Sequence, residues 1–336
     1  MTDENFRVAV LGCGQVSQEH FIGWSHCPGV TLVAVCDPMH ERAAAKSMAF
    51  TIPGVYTEPE AMFAAEKFDL VDIITPRATH ADMVRLAARH GVHALCEKPL
   101  CPTYCEAQAL IEEVGGRIRL MVNENWRYRD YFRKVGQWIA EGRLGKLVHA
   151  RIALLRANLL RREDGAVPAL LRQPFMATEE RLLIAESLIH ELDVLRSLFG
   201  DMDVIAARIA RGSDAVIGED AAAILLETRD GLSVIAEGVL SAAGRHIRAP
   251  DRLEISGTRC SVVLDDGVLR LFGAEEEELV YDENAIRQAC FDASIRHFVE
   301  QMRSGEPFWT SARDQLETLR LVEDAYQSAG AIRVRV

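Results

Sequence analysis

Residues 6–17 of the chain are Phe6-Arg7-Val8-Ala9-Val10-Leu11-Gly12-Cys13-Gly14-Gln15-Val16-Ser17. The first half of this segment is a largely apolar run typical of a buried strand, and the two glycines lead into residues that are compatible with a helix. Glycines at such a junction permit a tight turn and the close approach of a pyrophosphate, which the free N–H groups and the dipole of the helix stabilise. The segment therefore predicts the first βαβ unit of a dinucleotide-binding domain.

Asp37 follows the next apolar run, residues 30–36, at the position where an acidic residue accepts hydrogen bonds from an adenosine ribose. A carboxylate at this position repels the 2′-phosphate of NADP and so favours NAD, although Arg42 is near in sequence and is a cation that would favour NADP. The candidate cofactor-binding residues of this part of the chain are Gly12, Cys13, Gly14, Gln15, Val16 and Asp37.

Lys98 lies at the end of another apolar run, in Cys96-Glu97-Lys98-Pro99-Leu100. Residues 70–75 and 92–96 predict the third and fourth strands, with a helix from His80 between them. The proline after Lys98 has a fixed φ, which gives the lysine a preset position at the carboxyl edge of the sheet, where open α/β sheets bind ligands. An ordinary turn is the alternative. The further candidate cofactor contacts are Thr75, Pro76, His80, Glu97 and Lys98.

Length and composition limit the class of protein. At 336 residues the chain exceeds one ordinary Rossmann unit and fits two domains. A formal net charge of −12, without a basic run, argues against nucleic-acid binding. The charged first residues and the lack of a long apolar stretch argue against a secretory signal and a membrane span. The eight cysteines are scattered without metal-ligand spacing, so no metal site is predicted and a reducing, cytoplasmic setting is expected.

The sequence pattern changes character at the polar and aromatic segment Asn123-Glu124-Asn125-Trp126-Arg127-Tyr128. We therefore predict a Rossmann domain with a doubly wound parallel sheet at residues 1–122 and a second α/β domain at residues 123–336. Longer strand-like runs after residue 147, separated by turn pairs such as Asp266-Gly267, predict a mostly antiparallel sheet in the second domain.

Glu186, His190 and Asp193 lie within a predicted helix over residues 178–199. Their spacing of i, i+4 and i+7 puts all three on one stripe of a helix whose other positions are mainly apolar. One interpretation is that the two acids merely satisfy a core histidine. The other is that His190 is a general base near neutral pH, and that a neighbouring carboxylate orients its ring and stabilises the imidazolium.

Taken together, these segments resemble the Gfo/Idh/MocA family, named after glucose-fructose oxidoreductase, inositol dehydrogenase and a rhizopine-catabolism protein. The resemblance covers nearly the whole chain. It rests on Gly12-Cys13-Gly14, Thr75-Pro76-Arg77-Ala78-Thr79-His80, Glu97-Lys98-Pro99, Asn125-Trp126-Arg127-Tyr128, residues 186–193, Gly218-Glu219-Asp220-Ala221-Ala222, Glu254-Ile255-Ser256-Gly257-Thr258 and Ser328-Ala329-Gly330. It implies an NAD-dependent oxidoreductase with an N-terminal Rossmann domain and an α/β domain whose large open sheet forms the interface of a homodimer or homotetramer.

The family implies catalytic roles for Lys98 and His190, which would face the nicotinamide ring. His190 would remove the proton of a sugar hydroxyl while the adjacent C–H passes hydride to the nicotinamide, and Lys98 would hold the negative charge on the same oxygen. The acid four residues before the histidine is usually Asp in the family but is Glu186 here, and the small residue two before it, often Gly, is Leu188. Glu186 is therefore a catalytic candidate that contacts the substrate or only orients His190.

The predicted substrate is a small sugar. Trp126 is suited to stacking on a sugar face. Each of the polar candidates has an alternative to substrate binding, which is a role in surface charge or in packing. The candidate substrate-binding residues are Lys98, Asn125, Trp126, Arg127, Arg156, Glu186 and His190, with Arg172 and Gln173 as further donors. Residues 123–128 and 182–193 look more similar to bacterial pentose dehydrogenases of the family, including those acting on apiose, than to inositol enzymes. The specific prediction is a small polyhydroxylated aldose that is oxidised at its anomeric carbon, C1, to a lactone.

Three other functions stay open from the sequence. An inositol or polyol dehydrogenase would use the same fold. A family member that cleaves glycosides would also do so, with tightly held NAD and no net formation of NADH. The third is a non-catalytic sugar or nucleotide sensor, although a pure binding module has no need for both Lys98 and His190.

Overall fold

The computed structural model describes residues 5–331, and the first part of this range alternates strands and helices. Its strands are β1 (Phe6–Leu11), β2 (Val30–Cys36), β3 (Gly54–Tyr56), β4 (Leu70–Ile73), β5 (His93–Glu97) and β6 (Leu120–Asn123). Its helices are α1 (Ser17–His26), α2 (His40–Phe50), α3 (Pro59–Ala65), α4 (His80–His90) and α5 (Tyr104–Val114), with 3₁₀ turns at Arg77–Thr79 and Trp126–Tyr128. The strands pair in parallel in the order β3-β2-β1-β4-β5-β6, so the predicted doubly wound Rossmann sheet is confirmed.

The first strand, β1, is buried on both faces. Val8, Ala9 and Val10 are fully buried, because helices cover both sides of a parallel sheet of this type. The turn after β1 depends on Gly12, whose φ is +99°. A Cβ at this position would lie 2.5 Å from the carbonyl oxygen of Ile74, so only glycine fits between β1 and the end of β4.

The rest of the described range forms a second sheet and the other helices. Its strands are β7 (Leu147–Leu155), β8 (Met202–Ala210), β9 (Ala221–Thr228), β10 (Ser233–Val239), β11 (Arg252–Gly257), β12 (Cys260–Asp265), β13 (Val268–Gly273) and β14 (Glu277–Val280). Its helices are α6 (Asp130–Ala140), α7 (Pro168–Arg172), α8 (Ile189–Phe199), α9 (Glu283–Ser304) and α10 (Ala312–Ala331), with a 3₁₀ turn at Pro174–Thr178. The strand order is β14-β13-β12-β11-β7-β10-β9-β8, and the pairs are antiparallel except β7 with β10. The predicted mostly antiparallel sheet is confirmed.

A tight turn and alternating burial are visible in this second sheet. Asp266 and Gly267, between β12 and β13, have positive φ values of +49° and +75°, as a two-residue hairpin turn of type I′ requires. Along β9, Ile224 and Leu226 are fully buried, whereas Leu225 between them is 37% exposed. One face of the sheet therefore packs against the core of its unit, and the other carries exposed side chains.

The division of the chain into compact units differs from the predicted boundary between residues 122 and 123. The first unit extends to Tyr128 and also contains Gln288–Leu316. The second contains Arg129–Arg287 and the described chain from Glu317 onward. The chain thus passes between the two units three times, and the predicted domains at 1–122 and 123–336 are corrected accordingly.

Long-range packing explains this correction. Phe298 in α9 meets Trp24 in α1 edge to face, with ring centroids 6.4 Å apart, and both belong to the apolar core of the first unit. At the edge strand β6, the N–H of Val122 donates to the carbonyl of Thr310 at 2.9 Å, and the Thr310 hydroxyl donates back to the Val122 carbonyl at 2.7 Å. Residues late in the chain therefore complete both the core and the sheet edge of the first unit.

The predicted helix over residues 178–199 is also corrected. The α-helix α8 begins only at Ile189, and Leu183–Leu188 before it adopts a π-helix. A π-helix has a wider turn than an α-helix, so side chains share a face at a different spacing. The α-helical stripe predicted for Glu186 and His190 therefore does not apply.

Glu219 holds the beginning of the π-helix. Its carboxylate accepts hydrogen bonds from the backbone N–H groups of Leu182 and Ile184, at 3.1 and 3.0 Å. The hydroxyl of Tyr326 in α10 donates to the same carboxylate. Because Glu219 is buried, these donors replace the water that an exposed carboxylate would bind.

Candidate active site

The turn between β1 and α1 has the form of a phosphate-binding loop. Ser17 ties the turn together, since its Oγ donates to the carbonyl of Gly14 at 2.6 Å and its N–H donates to the same oxygen at 3.2 Å. Gly14 and Gln15 are exposed, and a Cβ on Gly14 would project into open space. Val16 provides no side-chain cap for α1, and the amino-terminal end of a helix favours an anion. The turn therefore fits the pyrophosphate of a dinucleotide.

Asp37 lies beside this turn, at the carboxyl end of β2, and is 5% exposed. Its Oδ2 accepts a hydrogen bond from the N–H of Cys13 at 2.8 Å, and its Oδ1 accepts one from the N–H of Met39 at 2.9 Å. An ionised carboxylate has roughly four lone-pair sites, so two bonds leave acceptor capacity for ribose hydroxyls. Burial, followed by the charge of Asp37, raises the pKa of the Cys13 thiol to about 12. Asp37 thus braces the turn and presents a negative charge at the position expected for the ribose.

We expect Asp37→Ala to weaken NAD binding by about 10- to 100-fold, because a hydrogen bond to a charged group contributes about 1.5–3 kcal/mol. NADP binding is expected to weaken less, because the substitution also removes the repulsion of the 2′-phosphate. Calorimetric Kd values for both cofactors measure this change in preference. The matched control is Asp69→Ala, since Asp69 also accepts a backbone N–H, from Arg7 at 2.8 Å, but precedes β4 at the opposite edge of the sheet. An unaltered preference in Asp37→Ala would mean that another residue contacts the ribose.

His80, the first residue of α4, is buried, and both of its ring nitrogens face backbone carbonyls. Nδ1 lies 2.8 Å from the oxygen of Pro99, and Nε2 lies 2.8 Å from the oxygen of Thr75. Burial lowers the pKa of this imidazole below 6.5, although the two carbonyls favour the protonated form. His80 is therefore a brace between the loops after β4 and β5. Of the other candidates in this loop, Thr75 is half-buried and Pro76 is exposed.

Lys98 directly follows β5, at the carboxyl edge of the parallel sheet, and is half-buried. Its backbone N–H donates to Oε2 of Glu97 at 3.2 Å, and its peptide bond to Pro99 is cis. Glu97 is in turn held by the side chains of His20 and Asn123, at 2.9 and 2.7 Å. The ammonium group thus extends from a segment whose backbone and acidic neighbour are both fixed.

The segment after β6 carries three of the predicted substrate-binding residues. Asn125 is buried and Trp126 is half-buried. Arg127 donates to the backbone carbonyl of Trp309 at 2.7 Å and to the Asp314 carboxylate at 2.9 Å, within the same compact unit. These contacts favour the packing interpretation of Arg127, which the sequence leaves open.

In the second unit, His190 lies in the first turn of α8 and Glu186 lies in the π-helix before it, and both side chains are half-buried. Asp193 is fully buried, and its Oδ1 accepts a hydrogen bond from the hydroxyl of Thr318 at 3.0 Å. Asp193 therefore anchors α8 to α10 within this unit. Arg172 donates to the side chain of its neighbour in sequence, Gln173, at 2.7 Å.

Sequence reasoning missed a pair of buried acids beside His190. Glu191 and Asp251 are 0% and 1% exposed, so neither carboxyl group is in contact with bulk water. Two carboxyl groups hydrogen-bond to each other only when one carries a proton. Burial, followed by the charge of Asp251, accordingly raises the pKa of Glu191 well above 4.5. Arg156 lies 3.6 Å from Asp251 and donates to the carbonyl of Ala249 at 3.0 Å, so this candidate substrate residue holds the loop before β11.

Glu191 and Asp72, neither of which is a predicted site residue, share a signal in the sequence, which is a charged residue within an apolar pattern. Asp72 interrupts the apolar strand β4, and Glu191 falls among the apolar positions of α8. Because a buried charge requires a partner, each position predicts that one exists. The partners themselves, His20 for Asp72 at 2.8 Å and Asp251 for Glu191, lie too far along the chain for a local pattern to identify.

A turn that fits a pyrophosphate beside an acid suited to a ribose defines a dinucleotide-binding protein, and a lysine fixed at the same sheet edge suits oxidoreductase chemistry. Family models agree with this class. Residues 6–123 match the model described as oxidoreductase family, NAD-binding Rossmann fold, and residues 132–263 match the GFO/IDH/MocA C-terminal domain. The chain belongs to the Gfo/Idh/MocA family and is an NAD-binding oxidoreductase. The resemblance noted from its motifs is confirmed.

Individual relatives extend over almost the full chain. The D-apiose dehydrogenase of Paraburkholderia graminis is 33% identical over 98% of this chain and 88% of that protein. The D-apiose dehydrogenase of Rhizobium rhizogenes is 28% identical over 96% of this chain and 94% of that protein. Among solved structures, an oxidoreductase from Agrobacterium radiobacter in complex with NAD+, L-tartaric acid and magnesium has a TM-score of 0.90 and 28% identity, over 98% of this chain and 97% of that chain.

Membrane-spanning segments, metal sites and cysteines are the remaining features of residues 5–331 that bear on function. None of the helices in this range combines the length and the hydropathy of a bilayer-spanning segment. Nor does the described part of the chain bring together three or more His, Cys, Asp or Glu side chains in a way that would hold a metal ion. The eight cysteines are free thiols, of which Cys105 is exposed and the others are buried.

Proposed function

We propose that this protein is an NAD-dependent dehydrogenase of a small sugar, a pentose aldose such as D-apiose, which it oxidises at C1 to the lactone. The observation that carries the proposal is the fixed backbone of Lys98 on a sheet edge whose glycine turn fits NAD. Two similar proteins are D-apiose dehydrogenases, which supports the sugar class.

Oxidation of the anomeric C–OH removes a proton from oxygen and a hydride from carbon. Bound NAD supplies the hydride acceptor. In the proposal, the imidazole of His190 takes the hydroxyl proton as general base. The ammonium of Lys98 donates a hydrogen bond to the same oxygen and stabilises the negative charge that develops there as the C–H bond breaks. The carbonyl group left on the sugar is that of the lactone.

The other candidates have supporting roles in the proposal. Glu186 orients the base or contacts the sugar, Trp126 stacks on one face of the ring, and Asn125 hydrogen-bonds a hydroxyl. Arg127 and Arg156 influence substrate binding indirectly. Each donates a hydrogen bond to a backbone carbonyl of its own unit and so holds that backbone segment in place. The proposed NAD contacts are Gly12, Cys13, Gly14, Gln15, Val16, Asp37, Thr75, Pro76, Glu97 and Lys98, with His80 as a brace.

Formation of NADH, measured by absorbance, tests the function. Purified protein and NAD are mixed with apiose, xylose, arabinose, galactose, inositol or L-tartrate, one at a time. The product of each positive reaction is treated with hydroxylamine, which converts a lactone to a hydroxamate and a ketone to an oxime. We expect a rate with apiose or with one or two pentoses, and a hydroxamate. A rate with inositol alone would identify a polyol dehydrogenase instead.

The same preparation separates the remaining alternatives. Cleavage of a glycoside without net NADH, by protein that retains its NAD through purification, would indicate the glycoside-cleaving class. Sugar binding without any turnover would indicate a sensor. Either result would contradict the dehydrogenase proposal.

We propose that the exposed face of the second sheet joins copies of this chain into a homodimer or homotetramer. Arg151, Ile235 and Leu225 are aligned partners on β7, β10 and β9, so they share this face. Arg151 pairs with Glu237 and Glu254 on the adjacent strands, so its charge is already compensated within the face. Apolar and internally paired groups are suited to burial against a second copy.

Leu225→Arg is expected to shift the assembly toward a monomer, because it places a charge in the middle of the proposed interface. Light scattering measures the molar mass, which we expect to be two or four times 37.3 kDa for the wild-type chain and lower for the variant. Glu227→Arg, at an exposed position nearer the end of β9, is the control for a change of charge alone. A wild-type monomer at all concentrations would contradict the proposal.

Charge and cysteine chemistry bear on the partners and the compartment. The formal net charge of −12 opposes binding to a nucleic-acid backbone. Free thiols are usual in reducing compartments, and all eight cysteines are of this kind. We therefore propose that the protein is cytoplasmic and that its partners are NAD, a sugar and other copies of this chain.

A further inference from the structure

His20 is a fully buried imidazole between two carboxyl groups of the first unit. Its Nδ1 lies 2.8 Å from Oδ2 of Asp72 in β4, and its Nε2 lies 2.9 Å from Oε1 of Glu97 at the end of β5. A neutral imidazole donates from one nitrogen only, so two carboxylate contacts require a proton on each. Burial alone would lower the pKa of His20, but the charges and hydrogen bonds of Asp72 and Glu97 outweigh it and raise the pKa from 6.5 to about 10.

The Glu97 carboxylate is fixed by this contact and by two others. Its Oε1 also accepts a hydrogen bond from Nδ2 of Asn123 at 2.7 Å, and its Oε2 accepts one from the backbone N–H of Lys98 at 3.2 Å. The amide of Asn123 is oriented by Ser294, whose Oγ donates to its Oδ1 at 2.6 Å. Burial raises the pKa of Glu97, but the His20 and Asn123 contacts outweigh it and lower the pKa to about 2. Glu97 is therefore an ionised, immobile acceptor.

Asp72 completes the hydrogen-bond network around His20, on the side of the ring opposite Glu97. Its Oδ2 accepts a second hydrogen bond, from Nε1 of Trp24 at 2.6 Å. The ring of Phe291 in α9 packs against His20, with centroids 5.1 Å apart. The groups that face the imidazole are thus two carboxylates, one amide and one aromatic ring. Because His20 lies one turn into α1, the network joins the start of that helix, next to the glycine turn, to the lysine at the end of β5.

We propose that His20 is a positioning residue for Lys98, because by holding the Glu97 carboxylate it fixes the backbone from which the lysine extends. This inference rests on the proposed function, in which Lys98 hydrogen-bonds the reacting oxygen. Without the imidazole, Asp72 and Glu97 would be buried acids that lack their counter-ion, and Glu97 would take up a proton or turn toward solvent. Either change alters the acceptor of the Lys98 N–H. A displacement of about 1 Å at a reacting group lowers the rate by about 100-fold.

The test compares His20→Gln with two other substitutions in the same unit. We expect His20→Gln to lower kcat by about 10- to 100-fold with little change in the sugar KM or the Kd of NAD, because the lost interaction matters mainly in the transition state. Asp72→Asn removes the carboxylate that faces His20 on the side away from Lys98. It is expected to lower Tm clearly and to change kcat only slightly. His297→Gln removes a buried imidazole that accepts the N–H of Trp309 at 3.0 Å, and is expected to lower Tm alone.

A second readout does not depend on turnover. Reductive methylation with ¹³C-formaldehyde labels the lysines, and Lys98→Met identifies the Lys98 resonance by its absence from the spectrum. We expect one sharp Lys98 resonance in the wild-type protein with NAD bound. The resonance should be shifted or broadened in His20→Gln and unchanged in His297→Gln.

The charge state of the network has a pH signature. The folded-state pKa of His20, about 10, exceeds the unfolded value of 6.5, so its contribution to stability is complete below pH 6.5 and is lost as the pH rises through 10. For Glu97, with values of about 2 and 4.5, the contribution is complete above pH 4.5 and is lost as the pH falls through 2. The loss of unfolding free energy in His20→Gln should therefore be largest between about pH 4.5 and 6.5. A loss independent of pH would contradict the doubly protonated ring.

The outcomes separate this inference from the function on which it rests. An unchanged kcat and an unmoved Lys98 resonance in His20→Gln would overturn the inference and leave the dehydrogenase intact. Parallel losses of kcat and Tm in all three variants would reduce His20 to a folding role and also overturn it. If the wild-type protein oxidised no sugar, the proposed function would fail, and the Lys98 resonance would still show whether His20 positions the lysine.

Discussion

Lys98→Met is expected to lower kcat by about 10²- to 10³-fold, the effect of removing one preorganised donor from a developing oxyanion. Methionine keeps an unbranched side chain at the carboxyl edge of the sheet but has no ammonium to stabilise the substrate oxygen. The Kd of NAD should change much less than kcat, because the ammonium acts mainly on the transition state and Lys98 is only one of several proposed NAD contacts. Steady-state rates with the best sugar, together with calorimetry of NAD binding, measure both quantities.

The matched control for this substitution is Lys67→Met. Lys67 is exposed, and its backbone carbonyl accepts a hydrogen bond from Arg7 near the amino-terminal edge of the same sheet. The control should leave both kcat and the Kd of NAD unchanged. Near-normal turnover in Lys98→Met would remove the lysine from the mechanism, whatever its position on the sheet edge.

His190→Asn is expected to lower kcat/KM by about 10²- to 10⁴-fold, because it removes the group that takes the hydroxyl proton. The loss should be small at acidic pH and should reach its full size at neutral pH and above. A general base works only when it is deprotonated, so the wild-type rate rises with pH as the imidazole loses its proton, and the asparagine variant lacks that rise. At low pH, where the wild-type imidazole is protonated, the two proteins should converge. Profiles of kcat/KM from pH 5 to pH 9 measure the difference.

The control for the second prediction is His26→Asn, an exposed histidine at the end of α1. It should reproduce the wild-type profile. A His190→Asn profile with the same shape as the wild-type profile would restore the interpretation of His190 as a core histidine. The two variants also separate two roles, since Lys98→Met should keep the pH-dependent rise that His190→Asn loses.

Local patterns were sufficient to predict the start of the fold. The glycine turn, α1 and Asp37 follow one another along the chain, and the hydrogen bond from Cys13 to Asp37 spans only 24 residues. Apolar runs separated by helices then predicted a parallel sheet. These features follow from strand burial and turn geometry, which the sequence displays directly.

The segments of the chain that make up the first unit could not be predicted in the same way. An apolar periodicity shows that a helix has a buried face, but not which surface covers that face. Nothing local in α9 indicates that Phe298 packs on Trp24, more than two hundred residues earlier. The sequence therefore predicts a boundary where the composition changes, between residues 122 and 123, whereas the structure divides the chain where the packing changes.

The same limit applies to the arginines and to the π-helix. Arg127 donates to the carbonyl of Trp309, 182 residues away, and Arg156 donates to the carbonyl of Ala249. Every residue type has a backbone carbonyl, so the sequence does not show where such an acceptor lies. An arginine that binds substrate and one that packs against backbone therefore cannot be told apart from the sequence. The π-helix likewise begins where Glu219, distant in sequence, accepts two backbone hydrogen bonds.

The threefold passage of the chain between its units has a consequence for folding during synthesis. The ribosome releases the amino-terminal strands first, but Phe291 and Phe298 complete the apolar cluster around Trp24, and Thr310 completes the edge of β6. The NAD-binding unit therefore cannot finish its core until nearly the whole chain has emerged. Until then its nascent form exposes aromatic surface and an open strand edge, the features that chaperones bind. We expect neither unit to fold when it is expressed as a single continuous segment, because each is built from two separate segments of the chain.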